Sequence, residues 1–94
     1  MILSYADART GRFAAGERVK QFEPFRRQAE NRLVRLEGAT RFAEVAALPG
    51  NRLEKLSGDR RGQWSIRIND QWRICFNWPE GAAGPSDVEI ADYH

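Results

Sequence analysis

Cysteine and histidine occur once each in these 94 residues, as Cys75 and His94. A lone cysteine excludes an internal disulfide, and one Cys with one His supplies too few ligands for a usual zinc site. Neither a metal nor a cofactor is expected. Long apolar runs are missing too. Nothing approaches the ~20 consecutive apolar residues that cross a bilayer, and the opening "MILSYADART" has neither the basic start nor the apolar centre of a signal peptide. No membrane partner and a cytoplasmic location are the expectations. Lysine is scarce: Lys20 and Lys55 are the only two among fifteen basic residues. Positive charge is therefore carried by arginine, whose planar guanidinium can grip a phosphate through two hydrogen bonds at once.

With 41% hydrophobic and 30% charged residues, the chain has the composition of an ordinary soluble globular protein rather than a disordered one. Its length allows one domain, residues 1–94, which buries roughly two-thirds of its unfolded surface. The net charge of +2 hides an asymmetry. Residues 1–78 hold all fifteen bases against nine acids, whereas residues 79–94 hold four acids and no base. A basic, arginine-rich body makes a nucleic-acid partner plausible, although such a surface can also be merely solvated.

No repeat or low-complexity tract interrupts the chain. "MILSY" reads as a short strand, and Asp7 as the N-cap of a helix ending near Gly16. In "QFEPFRRQAENRLVRLEG", Phe22, Phe25, Ala29, Leu33 and Leu36 recur at helical spacing, with Pro24 suited to the first turn and Gly38 to the stop. Arg27 and Arg35 fall off this stripe and read as a solvated face. "ATRFAEVAAL" reads as a short helix from Thr40, closed by the turn pair Pro49-Gly50.

Beyond Pro49 the period changes from helical to alternating. Trp64, Ile66 and Ile68 in "GQWSIRI", and Trp72, Ile74, Phe76 and Trp78 in "QWRICFNW", form the apolar sides of two half-buried strands. "SDVEIADY" adds a third with Val88 and Ile90 inward, "PEGAAGP" is a loop, and "NRLEKL" is a weaker fourth strand. Register sharpens this reading. A two-residue turn at Asn69-Asp70 would pair Arg67 with Trp72 and set the apolar residues on opposite faces, so the loop must hold an odd number of residues. With residues 69–71 as that loop, Ile68 opposes Trp72 and Arg67 opposes Arg73. Like charges so placed repel, and either splay into water or share an anion.

Metal-free cleavage of RNA needs a base for the 2′-hydroxyl proton, an acid for the departing 5′ oxygen, and cations for the charge gathering on phosphate. Here His94 is the natural proton carrier, Tyr93 a donor once positioned, and Asp92 a group that orients a neighbour or accepts a proton. Arg67, Arg73 and Lys55 are the natural phosphate ligands. Trp72, Trp78 or Tyr93 could stack on a base, but both tryptophans have the parity of core residues.

The stretch "PGNRLEKLSGDRRGQWSIRINDQWRICFNW", followed by "DVEIADYH", resembles the HigB-like toxins of bacterial toxin–antitoxin pairs, within the RelE/ParE superfamily. "SIRINDQWRICF" and the final "DYH" carry most of the likeness, while residues 1–48 agree in length, order and pattern. The resemblance implies an α+β domain with two to three N-terminal helices packed on a twisted, mostly antiparallel sheet of four to five strands. It implies a ribosome-dependent endoribonuclease that cuts mRNA in the ribosomal A site and is held inactive by a HigA-type helix-turn-helix antitoxin, through which alone it meets operator DNA. Carried over residue by residue, the family's terminal Asp-Tyr-His falls on Asp92, Tyr93 and His94, and the arginine of its "WR" on Arg73. Arg67 lies in a strand where a basic residue is usual. Some relatives have a histidine and a lysine where this chain has Glu54 and Ser57, so Lys55, Arg52 or Arg60 would have to substitute. The alternatives are a ParE-like toxin that poisons DNA gyrase by binding, with no need of the terminal triplet, and a degenerate toxin that only binds its antitoxin.

Overall fold

Asp7 opens the first helix as a cap should: its side chain accepts a hydrogen bond of 3.0 Å from the Thr10 amide, and α1 runs Ala8–Ala14. The computed structural model describes residues 1–92; Tyr93 and His94 lie outside the described residues. The second helical segment departs from the expected single helix over residues 21–38. Lys20–Phe25 forms a 3₁₀ turn containing Pro24, and α2 proper is Arg26–Gly38. Proline lacks an amide donor, and its ring clashes with the carbonyl four residues earlier, so regular α-helix begins only beyond it. The apolar stripe survives the break, since Phe22, Phe25, Ala29, Leu33 and Leu36 are all buried. The third helix, α3, is Phe42–Ala46 rather than starting at Thr40. Thr40 and Arg41 instead form its cap. The Glu44 carboxylate reaches back to accept from the Thr40 hydroxyl at 2.7 Å and from the Thr40 and Arg41 amides at 3.1 Å each.

Among the described residues four strands follow: β1 Glu54–Lys55, β2 Trp64–Arg67, β3 Arg73–Asn77 and β4 Ser86–Ala91. They lie in sequence order, every neighbouring pair antiparallel. The β2–β3 hairpin has the register that the alternation requires. Ile66 opposes Ile74, Arg67 opposes Arg73, and the Ile68 amide donates to the Trp72 carbonyl at 3.0 Å. The opening segment, expected as a strand, makes only a parallel bridge from Tyr5 to Val88. Its amides at Leu3 and Ala6 donate to Pro85 and Val88 carbonyls, Val88 donates to Ser4, and Ile90 donates to the buried Thr10 hydroxyl at 3.1 Å. These bonds occupy the outer edge of β4, which would otherwise present unpaired groups.

A bulge between Cys75 and Asn77 interrupts the β3–β4 pairing, with Asp87 in the left-handed region at φ 51°. Aspartate tolerates that conformation better than most side chains. Val88 and Ile90 still point inward and are fully buried. One face of the sheet, with Ile66, Ile68, Ile74, Phe76, Val88 and Ile90, packs on the helices through Phe13, Phe22, Phe25, Leu33, Leu36 and Val45. Tryptophans fill its margins: Trp72 stacks on Phe25 at 5.0 Å between ring centres, and Trp64 on Phe42 at 4.8 Å. The other face is not simply solvated, as the alternation suggested. Ser65 and Cys75 are fully buried, and Leu56 closes over Cys75 and Ala91 as a second apolar cluster.

Candidate functional site

The opposed arginines at the end of the hairpin have turned to separate partners. Asn69 shapes the loop between them, its side-chain oxygen accepting from the Gln71 amide at 2.8 Å and the Trp72 amide at 2.7 Å. Arg67 pairs with Asp70, whose own side chain is almost fully exposed. Arg73 lies flatter on the sheet. Its Nε donates to the Ser65 hydroxyl at 2.7 Å, and its Nη2 to the Arg52 carbonyl at 2.6 Å, with the Glu54 carboxylate 3.4 Å away. That carbonyl is presented because Arg52 adopts a left-handed conformation, φ 46° and ψ 57°. Such a conformation in a non-glycine residue stores strain that the surrounding bonds must offset.

Arg52, Arg67 and Arg73 thus line one shallow basin of about 470 Å³, together with Leu53, Glu54, Asn69 and Asp70. Three guanidinium groups outnumber two carboxylates there, so the basin favours an anion. Strand register brings Asp92 close by. Ala91 opposes Arg73, so Asp92 follows directly, and its carboxylate accepts from Gln71 Nε2 in the hairpin loop at 2.8 Å.

Other residues singled out in the sequence stand elsewhere. Arg60 lies on the same face but one row away, donating to Glu89 at 3.1 Å and Gln63 at 3.2 Å. Lys55 pairs with Trp64 in β2 and therefore faces the helical side, its ammonium 5.8 Å from that indole ring. Neither lines the basin. Tyr93 and His94 fall outside the described residues. Cys75 sits under this face, and burial pushes its thiol up to about 11 despite the neighbouring Arg60 and Arg73. It is a poor nucleophile at neutral pH, where the thiolate is the reactive form.

Arg32 is the residue sequence reasoning missed. Its Nε donates to the Arg67 carbonyl at 3.0 Å and its Nη2 to the Gly50 carbonyl at 3.4 Å, tying α2 to the basin's rim. Desolvation lowers its pKa, and the charges of Arg35 and Arg67 lower it further. A faint signal existed: Arg32 follows Ala29 by three and precedes Leu36 by four, which sets it on the margin of the buried stripe.

A small α+β domain of helices on one face of an antiparallel sheet, with arginines gathered on the other, is the RelE-like toxin fold. The structure of the YoeB–YefM complex from Staphylococcus aureus aligns over 100% of this chain and 98% of that one, with a TM-score of 0.60 and 16% identity. That likeness concerns the fold alone. Residues 4–94 match the family model of the HigB-like toxins, described as the RelE-like toxin of the type II toxin–antitoxin system HigB, and the chain belongs to this family. It is 41% identical over 58 residues to Toxin HigB-1 of Vibrio cholerae serotype O1, a match spanning 57% of this chain and 61% of that protein. To Endoribonuclease HigB of Proteus vulgaris it is 38% identical over 68 residues, 68% of this chain and 66% of that one. The matched segments thus span less than two-thirds of either relative.

Proposed function

We propose that this chain is the toxin of a type II pair and acts as a metal-independent endoribonuclease that requires the ribosome and cuts mRNA in its A site. The observation that carries the reading is the register Arg67–Arg73–Ala91, which sets Ala91 against Arg73 and leaves Asp92 bonded to the hairpin loop beside an arginine-lined basin. In the reaction the 2′-hydroxyl loses its proton, its oxygen attacks the adjacent phosphorus, and the bond to the 5′ oxygen breaks as that oxygen gains a proton. Arg67 and Arg73 supply the positive charge that this phosphate needs, with Arg52 beside them. His94 or Tyr93 transfers protons, and Asp92 orients a neighbour or accepts one. Which of them is base and which acid is left to experiment. Arg60 and Lys55 are assigned outer contacts with RNA.

Glu54 and Asp70 hold Arg73 and Arg67 while no RNA is bound, and a phosphate replaces them. A site with so few groups gains most from a partner that positions its substrate, which is what a ribosome supplies. The name of the Proteus relative supports ribonuclease chemistry, and family membership supports an antitoxin, here taken to be of the HigA helix-turn-helix type and to hold the pair's operator DNA. A ribosomal substrate places the activity in the cytoplasm.

The test adds purified protein to ribosomes programmed with a defined mRNA and maps new 5′ ends by primer extension, with His94→Ala, Tyr93→Ala and Arg73→Ala alongside. Ends at A-site codons that need ribosomes and vanish in the variants are the expected result. A wild-type protein that stops growth yet makes no ends overturns the reading, and a gyrase supercoiling assay then tests the ParE-like alternative.

A further inference from the structure

Arg32 and Arg35 stand one turn apart on α2, on the side that meets the 3₁₀ turn Pro49–Asn51. The point where a β-carbon would sit on Gly50 lies 3.7 Å from Arg32 Nη2 and 3.9 Å from Arg35 Nη1. Two guanidinium groups therefore converge over a residue with no side chain to part them. Arg52, two residues further on, faces the neighbouring basin. Among the described residues no carboxylate lies within ion-pair distance of Arg32, Arg35 or Arg52, whereas Arg67 and Arg73 each hold one. Converging like charges without a counterion repel, and an anion relieves them.

We propose that Arg32 and Arg35, gathered over Gly50, form a second phosphate subsite that takes an RNA backbone phosphate beside the one held by Arg67 and Arg73. The inference rests on the RNA reading above and extends it. The subsite is linked to the basin, because the Arg32 guanidinium is bonded to the main chain of Arg67 itself. Burial is the main cause that lowers the pKa of Arg32, and the charges of Arg35 and Arg67 lower it further. Among the described residues Arg32 spends Nε and Nη2 on carbonyls and keeps the rest of its five N–H groups. An acidic peptide would also be drawn to this charge, but the link to the basin through Arg67 favours a polyanion with regularly spaced phosphates.

The experiment measures binding of the full chain to a 2′-O-methyl oligoribonucleotide, which lacks the attacking hydroxyl, across a salt series. Arg35 is exposed, so Arg35→Gln is expected to fold normally, and Arg27→Gln on the same helix is the control. We expect Arg35→Gln to weaken binding several-fold at low salt and to flatten the slope of log K against log salt by about 0.7, the loss of one single-strand phosphate contact. Arg35→Lys keeps the slope, and Arg27→Gln matches wild type. A loss on the oligonucleotide assigns the phosphate to mRNA; a loss seen only with vacant ribosomes assigns it to ribosomal RNA. Arg35→Gln indistinguishable from wild type on both overturns the subsite, as does a variant that loses the antitoxin while binding RNA normally. If Arg73→Ala still weakens binding in that case, the RNA reading stands without the subsite. A wild-type protein that neither binds RNA nor makes new ends on ribosomes overturns the RNA reading itself.

Discussion

The two faces of one sheet divide the protein's work. On the helical face, Ile66, Ile74, Phe76, Val88 and Ile90 have lost nearly all contact with water and meet the aromatic residues of the 3₁₀ turn and α1. On the other, the alternate residues of the same strands, Ser65, Arg67, Arg73, Cys75 and Glu89, bring polar and charged groups together over a small apolar patch. The first face spends its side chains on stability, because burial of each large apolar group is worth about 1.5–3 kcal/mol. The second keeps Arg67 and Arg73 in loose pairs with the exposed acids Asp70 and Glu54, which contribute little to stability.

The sharpest way to break the comparison is to damage each face and ask what is lost. Phe22→Ala removes a fully buried ring in contact with Phe13, Phe25 and Trp72, and should cost about 3–5 kcal/mol by urea denaturation. Arg73→Ala on the opposite face should lower ribosome-dependent cleavage by about 10²–10³-fold, measured as single-turnover rates on programmed ribosomes. Its denaturation midpoint should fall far less than that of Phe22→Ala.

Cys75 probes how dry the arginine face is beneath its charges. Its thiol is raised from about 9 to about 11 by burial, so the unfolded chain releases this proton first as pH rises. Between those two values the folded state binds more protons, and stability falls by on the order of 2 kcal/mol. Cys75→Ala should remove that part of the alkaline loss, read as the difference between the two proteins' midpoints at pH 8 and pH 11. The smallest effect expected is at the cap: Asp7→Ala leaves the Thr10 amide without its acceptor and should cost about 1 kcal/mol, with cleavage unchanged.

Much of this was open to reading before any fold was known. The odd-numbered hairpin loop, and with it the opposition of Arg67 and Arg73, followed from alternation alone, since a one-residue slip would turn the apolar set outward. The inward placing of Val88 and Ile90 and the cap at Asp7 followed from equally local rules. That Lys55, named with Arg67 and Arg73 as a phosphate ligand, takes the opposite face of the sheet was not legible, because the pairing of a two-residue strand has too little pattern to show which face a residue takes. Arg35, read as a solvated residue, stands beside Arg32 only because the turn at Gly50 comes back against α2.

The sequence by itself determined the alternation of the three longer strands, the parity of their residues and the register of the central hairpin, for these depend on side chains a few positions apart. Tertiary structure alone decided that the opening segment lies parallel to β4, that Asp87 bulges, that the Arg52 carbonyl holds Arg73, and that Arg32 reaches the main chain of Arg67. Each of these joins groups far apart in the chain, and no local spacing records which distant partners a buried polar group will find.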